Sequence, residues 1–360
     1  MDEKIRLILE AGIRAPSGDN TQPWLLRYSE EDKEVELFVD EKADPSFFNV
    51  GQRASFLAAG AFFENVLIAS RAHDIAPQYE IFPIDKPDTT HPVARIKFIE
   101  GKADKEGINL YPAIGARTTN RQVYRKTPLD TSEIDSLIRE ATSIEGAGLS
   151  FLSAKDAKKT LSSLVFKADV IRVERRDLHE FLCSTIRWKQ PEIDAKKDGM
   201  PLRSLEAGFG GDLFLRLCSP WPVMNIMNKL GVGRAVAMHS RKSVMNSGAM
   251  GLITVAGNTP HDFFQAGRAL ERTWLAATSL GLAMQPVTAI TLFFLRQDLK
   301  ESPDFSPKHK KILADIRPKW RQLWGNALKD RSEALLFRIG KAVSPPTARA
   351  IRKPLDSFML

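Results

Sequence analysis

The chain has 360 residues, of which 43% are hydrophobic, 27% charged and 8% aromatic. That balance excludes disorder as the main state, and the length allows two domains or one large one. The two cysteines, Cys183 and Cys218, are too few for a disulfide framework or a four-thiolate metal site. The net charge of +8 is concentrated: across residues 308–353, thirteen Lys and Arg face three acids, so the remainder is near neutral. Such a stretch can serve nucleic acid, an acidic membrane or a phosphate on a small ligand, or it can be a solvated surface.

Residues 1–6 lack a basic leader followed by an apolar stretch, and no apolar run approaches the roughly 20 residues that span a bilayer. A cytoplasmic protein without stable membrane insertion is the expectation.

In chain order, a helix over 5–15 should stop at Pro16 and Gly18. Strands follow at Leu25-Leu26-Arg27-Tyr28 and Val35-Glu36-Leu37-Phe38-Val39. Over 52–73 the apolar Phe56, Phe63, Val66 and Leu67 recur at helical spacing, with Ala58, Ala59, Gly60 and Ala61 allowing close packing. Residues 94–99 alternate as a strand. A second block opens after an irregular stretch at Tyr111-Pro112, with a helix over 132–142, a strand over 149–152 and a helix over 155–180. Residues 189–248 read as the least regular part and suggest a lid. Within it, Leu213-Phe214-Leu215-Arg216-Leu217 and Trp221 suit the buried side of a cover better than a membrane contact. A buried strand over 252–256 leads to Thr259-Pro260-His261-Asp262, a capping pattern that starts a long helix ended by Gly281. The two long helices match at an offset of 207, through Ala59-Gly60 with Ala266-Gly267, Glu64 with Glu271, and Ala69 with Ala276.

No two of the six histidines stand at metal-ligand spacing, no G-x-S-x-G precedes a helix, and Gly231-Val232-Gly233 lacks the context of a dinucleotide fold. What remains is a set of loops rich in groups that bind a flat, phosphorylated heterocycle. Ala15-Pro16-Ser17-Gly18-Asp19-Asn20-Thr21-Gln22-Pro23-Trp24 combines hydroxyl and amide groups with a rigid turn. Arg117-Thr118-Thr119-Asn120-Arg121 sets two guanidinium groups around polar donors. Gly281 to Thr288 reads as a loop whose backbone can approach a ligand, and Arg349 and Arg352 would share a face if the tail is helical. Read blandly, these are a turn, a charged loop, a helix exit and a basic tail.

The A-P-S-x-x-N-x-Q-P-W stretch and the Arg117 to Arg121 loop resemble the nitroreductase superfamily of flavin enzymes, in its twin-domain branch. The resemblance spans 5–100, 112–160 and 250–358. It implies an α+β fold of two halves, 1–110 and 111–360, forming an intramolecular pseudo-dimer with mostly antiparallel sheets, and leaves 189–248 as a lid insertion. The first half keeps the A-P-S loop without an arginine loop, and the second keeps Arg117 to Arg121 without an A-P-S loop, so one FMN site per chain is implied. Carried over, Arg117, Thr119, Asn120 and Arg121 would hold the phosphate and the ribityl or ring edge. Arg349 and Arg352 would close on the phosphate, Ser17 and Asn20 would reach the ring, and Met284, Gln285 and Pro286 would line one ring face. Thr118 stands where the family carries a second arginine. Because the flavin itself carries the hydride, no catalytic side chain is nominated.

The reading is an FMN-dependent oxidoreductase that passes hydride from NAD(P)H to a small acceptor, as a monomeric pseudo-dimer or a homodimer. The alternative is a flavin-storage or flavin-shielding protein with little turnover. Nucleic-acid binding has no stacking platform or recognition motif behind it.

Overall fold

The computed structural model describes residues 1–84 and 90–360. Helix α1 (Glu3–Gly12) starts where the Asp2 carboxylate accepts the amides of Lys4 and Ile5, satisfying donors that a first turn leaves orphaned. Strands β1 (Trp24–Ser29) and β2 (Glu34–Val39) follow, then helix α2 (Arg53–Ala72) and strands β3 (Ile75–Ile81) and β4 (Ala94–Glu100). These strands form one antiparallel sheet in the order β1-β2-β4-β3, with Leu26 opposite Leu37 and Val35 opposite Ile96. Strand β3 is absent from the sequence reading because most of its residues are at least partly exposed, so it carries no clean apolar alternation.

Helix α3 (Tyr111–Ala116) replaces the irregular stretch expected at Tyr111-Pro112, since Pro112 lies in the first turn, where its missing N–H costs nothing. Helix α4 (Thr131–Thr142) and strand β5 (Gly148–Leu152) come next. The single helix expected over 155–180 is two, α5 (Lys155–Glu174) and α6 (Arg176–Thr185), broken at Arg175, which is extended at φ −95° and ψ 125°.

Residues 189–248, expected to be the least regular, are largely helical. A short parallel pair, β6 (Ile186–Arg187) and β7 (Met200–Pro201), flanks α7 (Gln190–Lys196), and α8 (Gly211–Cys218), α9 (Trp221–Lys229) and α10 (Val232–Met245) follow. Their glycines and prolines punctuate short helices rather than prevent them, because Gly210, Gly231, Pro220 and Pro222 sit at or beside the N-termini. Leu213 and Leu217, expected to be buried, are exposed at 61% and 62%. The small core there is built instead from Cys218, Met224, Phe214 and Trp221.

Strand β8 (Ala249–Val255) leads into α11 (Pro260–Ser279), where Thr259 and Asp262 exchange hydrogen bonds as a capping box. Strand β9 (Ala283–Pro286), helices α12 (Ala289–Leu299) and α13 (Pro307–Trp324) and strand β10 (Ser332–Gly340) complete a second antiparallel sheet, ordered β5-β8-β10-β9. Its order repeats that of the first sheet, with α2 and α11 each joining the second strand to the third. Met284, Gln285 and Pro286 thus form an edge strand paired with β10, Met284 opposite Ile339, and not a free loop. The first hairpin of this sheet is opened by residues 153–248 and its last by α12 and α13.

Helices α2 and α11 lie at the centre, almost wholly buried. Past β10 the chain is not helical around Arg349 and Arg352. It runs as an extended strap to the first sheet, where Met359 bridges Leu26 in parallel.

Candidate functional site

A cavity of about 560 Å³ opens between the two sheets' loops, within the range of small-molecule sites. Its wall takes Ser17, Asp19 and Asn20 from the turn after α1, Arg117, Thr119 and Arg121 from the segment after α3, and Arg349 and Arg352 from the strap. Met200 and Ser204 come from the segment after α7. Pro16 and Gly18 stop α1 and fold the chain back. Asp19, Asn20 and Gln22 then take positive φ values of 44°, 58° and 56°, conformations that Asn and Asp tolerate better than most residues. The Ser17 hydroxyl accepts the Gln22 amide and steadies the turn.

The cationic side is crowded. Arg117 is buried, donates to the Arg14 carbonyl at 2.8 Å, faces Glu271 at 3.3 Å and lies over the Trp274 ring. Arg352 donates to the carbonyls of Ile13, Arg14 and Ala15 and to Asn20 Oδ1 at 2.7 Å. Arg349 donates to the carbonyls of Gly115 and Ala116 at the end of α3. The strap arginines thus cap the exits of α1 and α3, whose last carbonyls lack intrahelical partners. Burial, then Arg117 and Arg14, pulls the Arg352 guanidinium down to about 9. Burial lowers Arg117 too, with Arg349 adding to the effect against Glu271.

At the other side, Arg121 donates to the Ser204 carbonyl at 3.0 Å and contacts Met200 Sδ. Burial and then Asp44 push the Asp19 carboxyl up to about 6, against the opposing pull of Arg121 and Arg172. The turn also holds the segment after α7. Asn20 exchanges hydrogen bonds with Gly199 at 2.9 and 3.2 Å, and the Gln22 side chain donates to the Lys197 carbonyl at 3.0 Å.

Of the residues singled out from sequence, Ser17, Asn20, Arg117, Thr119, Arg121, Arg349 and Arg352 come together on this wall. Asn120, Met284, Gln285 and Pro286 do not. Asn120 is buried, donating to the Ser344 carbonyl and accepting from the Gln122 amide. Met284 is buried on β9 and bridges Thr119, while Gln285 Oε1 accepts from Arg338 at 2.6 Å. They form the strand edge behind the arginine loop. Arg14, Asp19, Met200 and Ser204 were missed. Arg14 adjoins the Ala15-Pro16-Ser17 motif, which could have flagged it, whereas nothing local marks Met200 or Ser204.

No protein-family model matches the chain. "Uncharacterized protein MT1398" of Mycobacterium tuberculosis is 29% identical over 342 residues, covering 94% of this chain and 46% of that protein, so the chain spans about half the length of this relative. "Putative NAD(P)H nitroreductase acg", also from Mycobacterium tuberculosis, is 24% identical over 296 residues, covering 82% of this chain and 83% of the relative. Relatives at 24% to 29% identity are thus what the chain is similar to, and one of them bears the name of a nitroreductase. Among solved structures, the chain is similar to the FMN-dependent nitroreductase NfnB of Mycobacterium smegmatis in complex with NADPH, at 13% identity over 69% of this chain and 96% of that chain, with a TM-score of 0.39. It is also similar to iodotyrosine deiodinase bound to FMN and 3-iodo-L-tyrosine, at 11% identity over 68% of this chain and 95% of that chain, with a TM-score of 0.36. Likenesses of that degree carry nothing toward the site or its ligand.

Proposed function

We propose that this chain binds one FMN and passes hydride from NAD(P)H through it to a small-molecule acceptor. The observation that carries the reading is the gathering of Arg14, Arg117, Arg349 and Arg352 at one side of the cavity, close enough for Arg352 to be pulled down to about 9 by burial and its cationic neighbours. Like charges held together in a partly dry site call for an anion, and a phosphate dianion suits guanidinium donors. Within this proposal those four arginines hold the phosphate. Ser17, Asn20, Thr119 and Arg121 hold the ribityl chain or ring edge, and Asn120, Met284, Gln285 and Pro286 fix Thr119 from behind. When bound, FMN supplies the hydride chemistry. The chain's own groups bind, orient and exclude water.

The proposal extends to the division of labour within the chain. Residues 1–110 contribute the turn after α1, residues 111–360 contribute the arginine loop and strap, and the insertion 189–248 serves as a lid, with its 197–204 segment against the cavity. The repeated strand order around α2 and α11 supports this division. A soluble cytoplasmic setting and a small electron acceptor accompany the reading.

The visible spectrum of the purified protein, before and after adding NADPH, is the test. A flavin spectrum that bleaches with NADPH and recovers with a quinone is expected. Protein that stays colourless after incubation with FMN overturns the reading. A second reading, flavin storage or shielding with little turnover, is favoured by one observation: Asn20, Gln22 and Arg121 fasten residues 197–204 beside the cavity. A bound flavin that NADPH fails to reduce would select it.

A further inference from the structure

We propose that the outward face of residues 203–242 docks this protein peripherally on a bilayer surface rich in anionic lipid. Five large apolar side chains are exposed within 22 residues: Phe209 at 112%, Leu213 at 61%, Leu217 at 62%, Ile226 at 55% and Leu230 at 72%. Leu213 and Leu217 stand four apart on α8, and Ile226 and Leu230 four apart at the end of α9, so each pair shares a helix face. The inner sides of the same helices build the small core around Cys218 and Met224, so none of the five is needed to hold α8 and α9 together. Phe209 is lifted out between Gly208 and Gly210, which take φ values of 78° and 72°.

Charge decides the occupant. Residues 199–248 carry six Lys and Arg and only two acids, Glu206 and Asp212. Glu206 is half-buried and accepts the Thr347 amide, whereas Arg203, Arg216, Lys229, Arg234 and Lys242 are exposed. A cavity of about 340 Å³ opens at the end of α9, lined in part by Lys229, Arg234 and the paired Lys308 and Glu174. A second copy of the chain would set like charges against like. An anionic lipid surface complements them, each basic residue near it contributing about 1 kcal/mol, while protruding apolar side chains reach the acyl boundary. A fluid surface also needs no shape match to separate, projecting side chains. Among the described residues no helix is long and apolar enough to cross a membrane, so the contact is peripheral. The inference does not depend on the cofactor.

The full chain should be sedimented with vesicles of phosphatidylcholine alone and of phosphatidylcholine containing one third phosphatidylglycerol, at low and high salt. Binding should require phosphatidylglycerol and fall at high salt. It should drop at least tenfold in Phe209→Ser/Leu213→Gln, and lose its dependence on phosphatidylglycerol in Lys229→Glu/Arg234→Glu, both with unchanged thermal melting. No binding to either vesicle, or equal binding by the folded variants, overturns the proposal. So does a concentration-dependent dimer abolished by the first variant, which assigns the face to a second copy.

Discussion

Gly60 and Gly267 answer the same demand from opposite sides of one helix crossing. A Cβ on Gly60 would collide with the carbonyl oxygen of Phe264, and one on Gly267 with the carbonyl oxygen of Leu57. Both the glycine pair and the residues they touch are related by the offset of 207, so the contact is its own pseudo-twofold mate. The polar neighbours follow suit: Glu64 pairs with Arg272 at 3.0 Å, and Glu271, related to Glu64 by that offset, lies beside Asn65, related in the same way to Arg272. Two buried helices can approach this closely only where no side chain stands between their backbones.

Gly60→Ala and Gly267→Ala should therefore each cost about 3 kcal/mol or more, because the obstacle is backbone that cannot rotate away. Separating α2 from α11 relieves both collisions at once, so the double variant should lose less than the sum. Thermal or urea unfolding of the three variants checks this, and strict additivity would contradict a shared crossing.

Arg352→Met should separate phosphate recognition from ring recognition. A guanidinium lost from a charge-assisted site costs about 1.5–3 kcal/mol, so FMN affinity should fall about 10- to 100-fold while riboflavin affinity changes little. Flavin-fluorescence titration with both ligands reads the difference, and an equal loss for both removes the phosphate from this end of the cavity.

Asp19 gives a pH dependence with a definite sign. Its folded carboxyl, pushed up to about 6, holds a proton that the unfolded chain releases near 3.9. Its contribution to stability is thus complete below about pH 4 and is lost as pH rises through about 6. In Asp19→Asn that decline should disappear, making the variant gain on the parent between pH 4 and 7. Urea unfolding at intervals across this window measures it.

Gln22 holds two segments at once, donating to the Lys197 carbonyl and accepting the Lys353 amide. Gln22→Ala should raise hydrogen exchange at 197–204 and 350–353. If residues 197–204 gate the cavity, it should also raise kcat/KM for bulky quinones more than for small ones. Unchanged exchange would show that Asn20 and Arg121 suffice to hold the segment.

Local chemistry made much of this fold legible. The periodicity of α2 and α11, the Thr259 cap and the alternation of β2 and β4 are short-range patterns, and each stands where its residues put it. Strand β3 was not legible, because an exposed strand has no apolar pattern to read. Nor were the helices of 189–248, where composition suggested punctuation without saying that short helices lay between. The sequence by itself determined the strongly patterned elements, the two distinctive loops and the place of the basic excess. Only the tertiary structure decided which cations share a cavity. Of the thirteen over 308–353, Arg349 and Arg352 reach its wall, while Lys308, Lys310, Arg317, Lys319, Lys341 and Lys353 pair with acids elsewhere. The reason is that a cavity wall joins residues more than three hundred positions apart, as Arg14 and Arg352 are. Their meeting is fixed by how two sheets pack around one helix pair and by where an extended strap crosses them, neither of which leaves a periodic trace in the chain.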